Sequence, residues 1–131
     1  MQTVTRANDI RTSTRKVRLI GDSIRNLGVF EALDALSVMN KRSARDLEKV
    51  LKSAVANAQN NFKLEKNNLK IKEIDINEGM VFKRFRPSTR GRIHPYKKKT
   101  TNIRIVLEEN TPAIVAPEKN ETKSLPKGEE K

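Results

Sequence analysis

The chain has 131 residues, no cysteine and one histidine, and its 28 Lys and Arg against 16 Asp and Glu give a net charge of +12. That length suits one domain with appendages, and the missing cysteines exclude a disulfide frame, a thiol nucleophile and a zinc ribbon. A hydrophobic share of 35%, even with five Gly added, falls short of the ~45–50% usual for a self-contained globule, so part of the chain is expected not to pack on itself. The positive charge is uneven: residues 1–107 carry 24 bases and 10 acids, and residues 108–131 carry 4 and 6.

Residues 3–12 contain the β-capable Val4 and Ile10 and predict a short strand. Ser13 is placed to cap a helix whose apolar positions Val17, Ile20, Ile24 and Leu27 share one face, with Gly28 as its stop. Arg11, Arg15, Lys16 and Arg18 crowd the start of that helix. Cations there oppose the macrodipole, so the cluster reads as a contact for an anion, most simply a phosphate. Residues 29–39 predict a short core helix, and Asn40, Lys41 and Arg42 a turn. Ser43 and Asp46 then form a capping pair for a long helix carrying Ala44, Leu47, Val50, Leu51, Ala54, Val55, Ala58 and Phe62 on one side. Such a stripe is a packing face rather than a cofactor box. Arg45, Glu48, Lys49 and Lys52 take its outer side.

Paired asparagines at 60–61 and 67–68 punctuate a polar connection to a strand over residues 69–76. Leu69 and Ile71 have one parity and Ile74 and Ile76 the other, so a bulge or strong twist near Lys72 and Glu73 is needed to bury all four. A partner strand over residues 102–107 alternates cleanly.

Between these strands lies a stretch of 22 residues, 79–100, with eight Lys or Arg and no acid. Its cations are Lys83, Arg84, Arg86, Arg90, Arg92, Lys97, Lys98 and Lys99. Phe82, Phe85 and Tyr96 sit among them and are three of the five aromatic residues in the chain. Solvated charged surfaces mix signs, whereas this stretch predicts a mobile arm that orders against a polyanion. Rings between guanidinium groups suit unpaired RNA bases. Folded back on itself, the arm has about 11 residues per leg and a reach of roughly 35 Å. Pro87 and Pro95 are expected to interrupt its pairing, and Gly91 to permit a reversal near its end. Beyond Leu107 the composition turns to Glu, Lys, Pro and Thr and predicts a disordered tail. The expected organisation is one domain over 1–108, with an arm at 79–101 and a tail at 109–131. Its class is α+β: three helices packed on a small antiparallel sheet, with a long extended basic β-hairpin.

Three motifs in this order resemble the bacterial large-subunit ribosomal proteins of family twenty-two. They are residues 13–18 (STRKVR), residues 50–58 (VLKSAVANA), and KRFRP at 83–87 with RGR at 90–92. The resemblance covers about residues 4–107. Met80 and the run Pro87, Ser88, Thr89 depart from it, because the family commonly has Pro in the first place and Pro-Arg-Ala in the second. It implies a globule on the ribosome surface and a hairpin running inward through ribosomal RNA, with a tip at the nascent-peptide exit tunnel. It implies tip positions at Phe82, Lys83, Arg84, Phe85, Pro87, Ser88, Thr89, Arg90 and Gly91. Expected RNA contacts are Arg11, Arg15, Lys16, Arg18, Lys41 and Arg42 on the body, with the eight arm cations and Tyr96. Implied partners are large-subunit ribosomal RNA, neighbouring large-subunit proteins and, transiently, the nascent peptide, with no homo-oligomer.

Other classes fare worse. A general DNA-compacting or regulatory protein could use the same charges, but no helix presents a recognition face. His94 beside Pro95, with no carboxylate in residues 79–107 to orient it, gives no acid–base or metal constellation, so neither an enzyme nor a cofactor or metal site is expected. No run approaches the ~18 apolar residues of a membrane span, and residues 1–6 lack the apolar core of a secretory signal. The expected location is the cytoplasm, in the large ribosomal subunit.

Overall fold

The computed structural model describes residues 1–64 and 68–109. Strand β1 (Gln2–Ile10) is followed by helices α1 (Thr14–Ile24), α2 (Val29–Val38) and α3 (Arg42–Phe62), then by strands β2 (Leu69–Pro87) and β3 (Ile93–Glu109) around a short 3-10 turn, Thr89–Gly91. The strands form one antiparallel sheet in the order β1-β3-β2. Three helices on a three-stranded antiparallel sheet make the α+β class expected from the sequence. Of the tail predicted over 109–131, Glu109 is instead the last residue of β3, paired with Leu69, and residues 110–131 lie outside the described residues, as does Asn67 of the second asparagine pair.

The core lies between the helices and one face of the sheet. The α3 stripe Ala44, Leu47, Val50, Leu51, Ala54, Val55 and Ala58 is buried, as its spacing required. Facing it are Ile103, Ile105 and Leu107 of β3, each at most 1% exposed. Phe62 departs from the expected stripe: at the last position of α3 the helix has passed the edge of the core, and its ring is 45% exposed. In β2 the parity conflict resolves as a bulge. Ile71 pairs with Leu107 and Glu73 with Val106, so Lys72 is the extra residue, and Leu69, Ile71, Ile74 and Ile76 are all buried.

Two helix boundaries differ from the expected ones. α1 stops at Ile24, and Gly28 is instead the N-cap of α2, its carbonyl accepting from Ala32 N–H and its own N–H donating to Glu31 Oε2 at 3.3 Å. α3 begins at Arg42, so Ser43 lies inside the helix rather than capping it. Asp46 accepts from Thr12 Oγ1 at 2.8 Å, a tertiary contact in place of the expected local cap.

The basic stretch pairs with itself. β2 and β3 continue past the end of β1 in register from Val81 opposite Lys99 to Pro87 opposite Ile93. Pro95 lies inside this register, opposite Phe85, instead of interrupting it, which a two-stranded ribbon permits because the edge of each leg is free and a missing N–H can face solvent; Pro87 stands in the last pair, where β2 ends. At the end, Ser88 N–H donates to Arg92 O at 2.8 Å, and Arg90 and Gly91 take consecutive left-handed conformations, φ 57° and φ 70°. Gly91 adopts its conformation freely, whereas Arg90 strains by about 1 kcal/mol. In native-state hydrogen exchange of the free protein we expect amides of α3 to be protected near the global limit and those of residues 81–98 to exchange orders of magnitude faster. Helix packing covers the first and nothing covers the second.

Candidate nucleic-acid interface

Two helix N-termini open toward one cleft. The loop from β1 to α1 carries Arg11, Thr12 and Ser13, and Lys41 precedes α3. The cleft between them, about 540 Å³, is lined in part by Arg11, Lys16, Lys41 and Arg42. Neither N-cap residue, Ser13 or Lys41, makes a side-chain cap bond, and neither helix has an acid in its first turn. Asp46 is turned to Thr12. Free N–H groups, two dipole ends and four cations make a place for an anion with several oxygens, such as a backbone phosphate.

Arg11 and Arg42 also line a second cleft, about 550 Å³, whose far wall is the root of the ribbon: Phe82, Arg84, Lys98 and Lys99. Lys41 and Arg42 line a third, about 500 Å³, with Arg45 and Lys49. Sharing these residues, the three clefts lie side by side as a largely basic crevice region from the outer side of α3, past both helix starts, to the ribbon, with the Asp46 carboxylate in the wall of the third.

The register gives the ribbon two faces. On one, the opposed pairs are Phe82 with Lys98, Arg84 with Tyr96 and Arg86 with His94. There the Arg84 guanidinium lies 5.3 Å from the centre of the Phe82 ring, and that of Arg86 lies 5.7 Å from the centre of the Tyr96 ring. The other face carries Lys83 opposite Lys97 near the root, then Phe85 opposite Pro95 and Pro87 opposite Ile93 toward the end. Phe85 and Ile93 are 69% and 63% exposed. Guanidinium planes held over rings match the stacking and phosphate contacts that unpaired RNA offers.

The expected contact residues divide accordingly. Arg11, Lys16, Lys41, Arg42, Arg84 and Lys98 converge on the crevice. Arg15 is exposed on α1 but lines none of the three clefts. Arg18 points elsewhere: its Nε donates to Ile76 O at 3.1 Å and ties α1 to β2. Of the expected contact cations only Lys99 meets a carboxylate among the described residues, Glu78 at 3.5 Å. Phe82, Lys83 and Arg84 are not at the tip, because the reversal at 88–92 leaves Phe82 at the root, roughly 20 Å away at strand rise. Phe85, Pro87, Ser88, Thr89, Arg90 and Gly91 do belong to the distal part, and Arg86, Arg92 and Lys97 complete the exposed charge of the legs. In the sequence Arg45 and Lys49 mark only the outer face of α3. Their spacing of 3 and 7 from Arg42 is the available signal that all three share a side. Among the described residues no group of three His, Cys, Asp or Glu could hold a metal ion, and no helix is long and apolar enough to cross a membrane.

A family model described as ribosomal protein L22p/L17e matches residues 5–108, which span the sheet, the three helices and the ribbon. The chain belongs to this family. As an L22p/L17e protein it is a structural constituent of the large ribosomal subunit in the cytoplasm, binding ribosomal RNA among other ribosomal proteins, and the family's role is structural rather than enzymatic.

The geometry separates cations that line the clefts from Arg18, which ties α1 to β2. For Arg11→Ala with Arg42→Ala, the slope of log affinity against log salt for large-subunit RNA should fall by about 0.7–0.9 for each phosphate that the variant leaves unneutralised, with thermal stability unchanged. For Arg18→Ala the slope should hold while stability drops by about 1 kcal/mol as the bond to Ile76 O disappears. Salt titrations and melting curves on the same preparations distinguish the two.

Proposed function

We propose that the crevice at the helix starts seats the body on large-subunit ribosomal RNA and that the ribbon extends from this seat through RNA, bringing its reversal to the wall of the nascent-peptide exit tunnel. The observation that carries this reading is the ribbon itself. It projects past β1 and holds no acid between Gly79 and Thr100. An uncompensated cationic ribbon is a poor free-standing structure and a good insert between phosphate backbones. On this reading the anchoring contacts are Arg11, Lys16, Lys41 and Arg42, with Arg15, Arg45 and Lys49 on the flanks. The leg contacts are Lys83, Arg84, Arg86, Arg92, Tyr96, Lys97, Lys98 and Lys99. Residues 88–91 border the tunnel and meet the nascent peptide transiently. On this reading the protein is not a homo-oligomer, since its charged surfaces face RNA.

Shortening the ribbon without shifting its faces tests the division between grip and reach. Deleting Arg84 and Phe85 together with their partners Pro95 and Tyr96 removes two opposed pairs, preserves the alternation of the remaining ones, and withdraws the reversal by about 7 Å. We expect the variant to enter large subunits at near-normal occupancy, with density for the reversal withdrawn from the tunnel wall and altered arrest of tunnel-sensing nascent chains. Arg11→Ala with Lys16→Ala and Arg42→Ala should instead lower occupancy several-fold. Normal occupancy of the triple variant alongside exclusion of the shortened one would reverse the assignment.

A further inference from the structure

Three strands become two at one level of the sheet, and both flanking strands are irregular there. The last pair of β1 is Ile10 with Thr101, and the first pair of the free ribbon is Val81 with Lys99. β1 has an extra residue between Ala7 and Ile10, opposite Asn102, and β2 has one between Glu78 and Val81, opposite Thr100. Each bulge bends its strand and raises the local twist. Here two of them press on the central strand from opposite sides, two residues apart.

The side chains at this level close on one another. Asp9, in the left-handed region at φ 56°, donates its backbone N–H to Asn102 Oδ1 at 2.9 Å. Thr100 is 1% exposed, with its hydroxyl 2.7 Å from the Met80 carbonyl and 3.2 Å from Asp9 Oδ1. A hydroxyl has one hydrogen, so the nearer Met80 carbonyl takes it, while Asp9 Oδ1 also lies 3.4 Å from the Met80 N–H. Gly79 completes the closure, because a Cβ there would lie 2.6 Å from Thr100 Oγ1 and 2.9 Å from Asn102 Oδ1. All three strands therefore meet in one hydrogen-bonded knot with no space left in it.

We propose that Asp9, Gly79, Thr100 and Asn102 are positioning residues: they fix the direction in which the ribbon leaves the body, and hence where its reversal arrives once the body is seated. The proposal deepens the reading of the ribbon as an RNA-penetrating element and rests on it. None of the four is a cation, so they set aim without supplying grip. Leverage makes aim matter. Seven residues separate Val81 from Ser88, about 23 Å at strand rise, and a tilt of about 10° at the root moves the reversal by about 4 Å, enough to separate a seated contact from a missed one.

The chain has no native cysteine, so spin labels on Asn61→Cys and Lys83→Cys report a single distance between the far end of α3 and the base of the ribbon in the full-length free protein. The label at Lys83 sits just beyond the knot, where bending of the distal ribbon contributes little. For the unsubstituted background we expect one narrow distance distribution. Thr100→Val, which keeps the shape and removes the hydroxyl, and Gly79→Ala, which forces the strands apart, should each shift the distribution by about 2 Å or more at this lever length or broaden it to a comparable extent. The salt slope for large-subunit RNA, measured on unlabelled Thr100→Val and Gly79→Ala proteins that keep Lys83, should stay unchanged, since these two substitutions remove no cation. A purely stabilising role would lower the melting temperature and leave the distance alone. If Gly79→Ala does not fold, Thr100→Val decides. An unmoved distribution in folded Thr100→Val protein overturns the proposal. Failure of the unsubstituted protein to bind large-subunit RNA would instead remove the RNA reading of the ribbon and leave the distance result standing as a statement about the joint.

Discussion

One strand belongs to two environments, and the rest of the molecule follows from that continuity. From Thr101 to Leu107, β3 is the central strand of the sheet, with Ile103, Ile105 and Leu107 sealed under the helices. From Ile93 to Lys99 the same strand is one leg of a ribbon in solvent. Each buried aliphatic contributes about 1.5–3 kcal/mol. Lys83 opposite Lys97 opposes pairing by up to about 1 kcal/mol at contact range in water, less in salt. The core therefore wins easily at the root, and its influence falls with distance along the ribbon. A body that folds alone and an arm that needs neutralisation are consequences of one strand leaving one core.

Where the pattern was local and repeated, the sequence was enough. The α3 stripe and the parity conflict at Ile71 and Ile74 followed from periodicity, and the bulge found at Lys72 is the solution that burial demanded. What failed depended on partners distant in the chain. Ser43 and Asp46 have the right spacing for a cap, but Thr12, 34 residues away, competes for the carboxylate. Arg18 resembled its basic neighbours until Ile76 O, 58 residues away, claimed its Nε. The knot at the ribbon root was invisible for the same reason: the left-handed Asp9 donates its N–H to Asn102, 93 residues away, and no local rule asks a strand aspartate to do so. The site was legible as a list of cations and illegible as a shape, since only the fold shows that Arg11 and Arg42 line one cleft.

Charge is sorted between the faces of the sheet. On the face away from the helices Arg104 Nη1 lies 2.8 Å from Asp75 Oδ2 and 3.9 Å from Glu73 Oε2, and Lys72 lies 3.3 Å from Glu108. That surface is close to neutral. Exposed pairs of this kind add little stability, and their effect here is to cancel a field that would otherwise surround the protein on every side. The uncompensated charge is thereby concentrated at the crevice and the ribbon, which gives an approaching polyanion a preferred face.

Within the ribbon, the guanidinium groups of Arg84 and Arg86 rest on rings and meet no carboxylate among the described residues, and the difference bears on binding. An acid beside Arg84 or Arg86 would fix the side chain but cancel the charge a phosphate needs, and that acid would have to be displaced before the phosphate could bind. The rings of Phe82 and Tyr96 restrict the same side chains and leave the charge whole. Ordering a long side chain at an interface costs about 0.5–1.5 kcal/mol, so a guanidinium already resting on a ring has less to lose when RNA arrives. The aromatic residues among the cations are in this sense part of the electrostatics: they restrain orientation without neutralising, where nearby acids would have done the opposite.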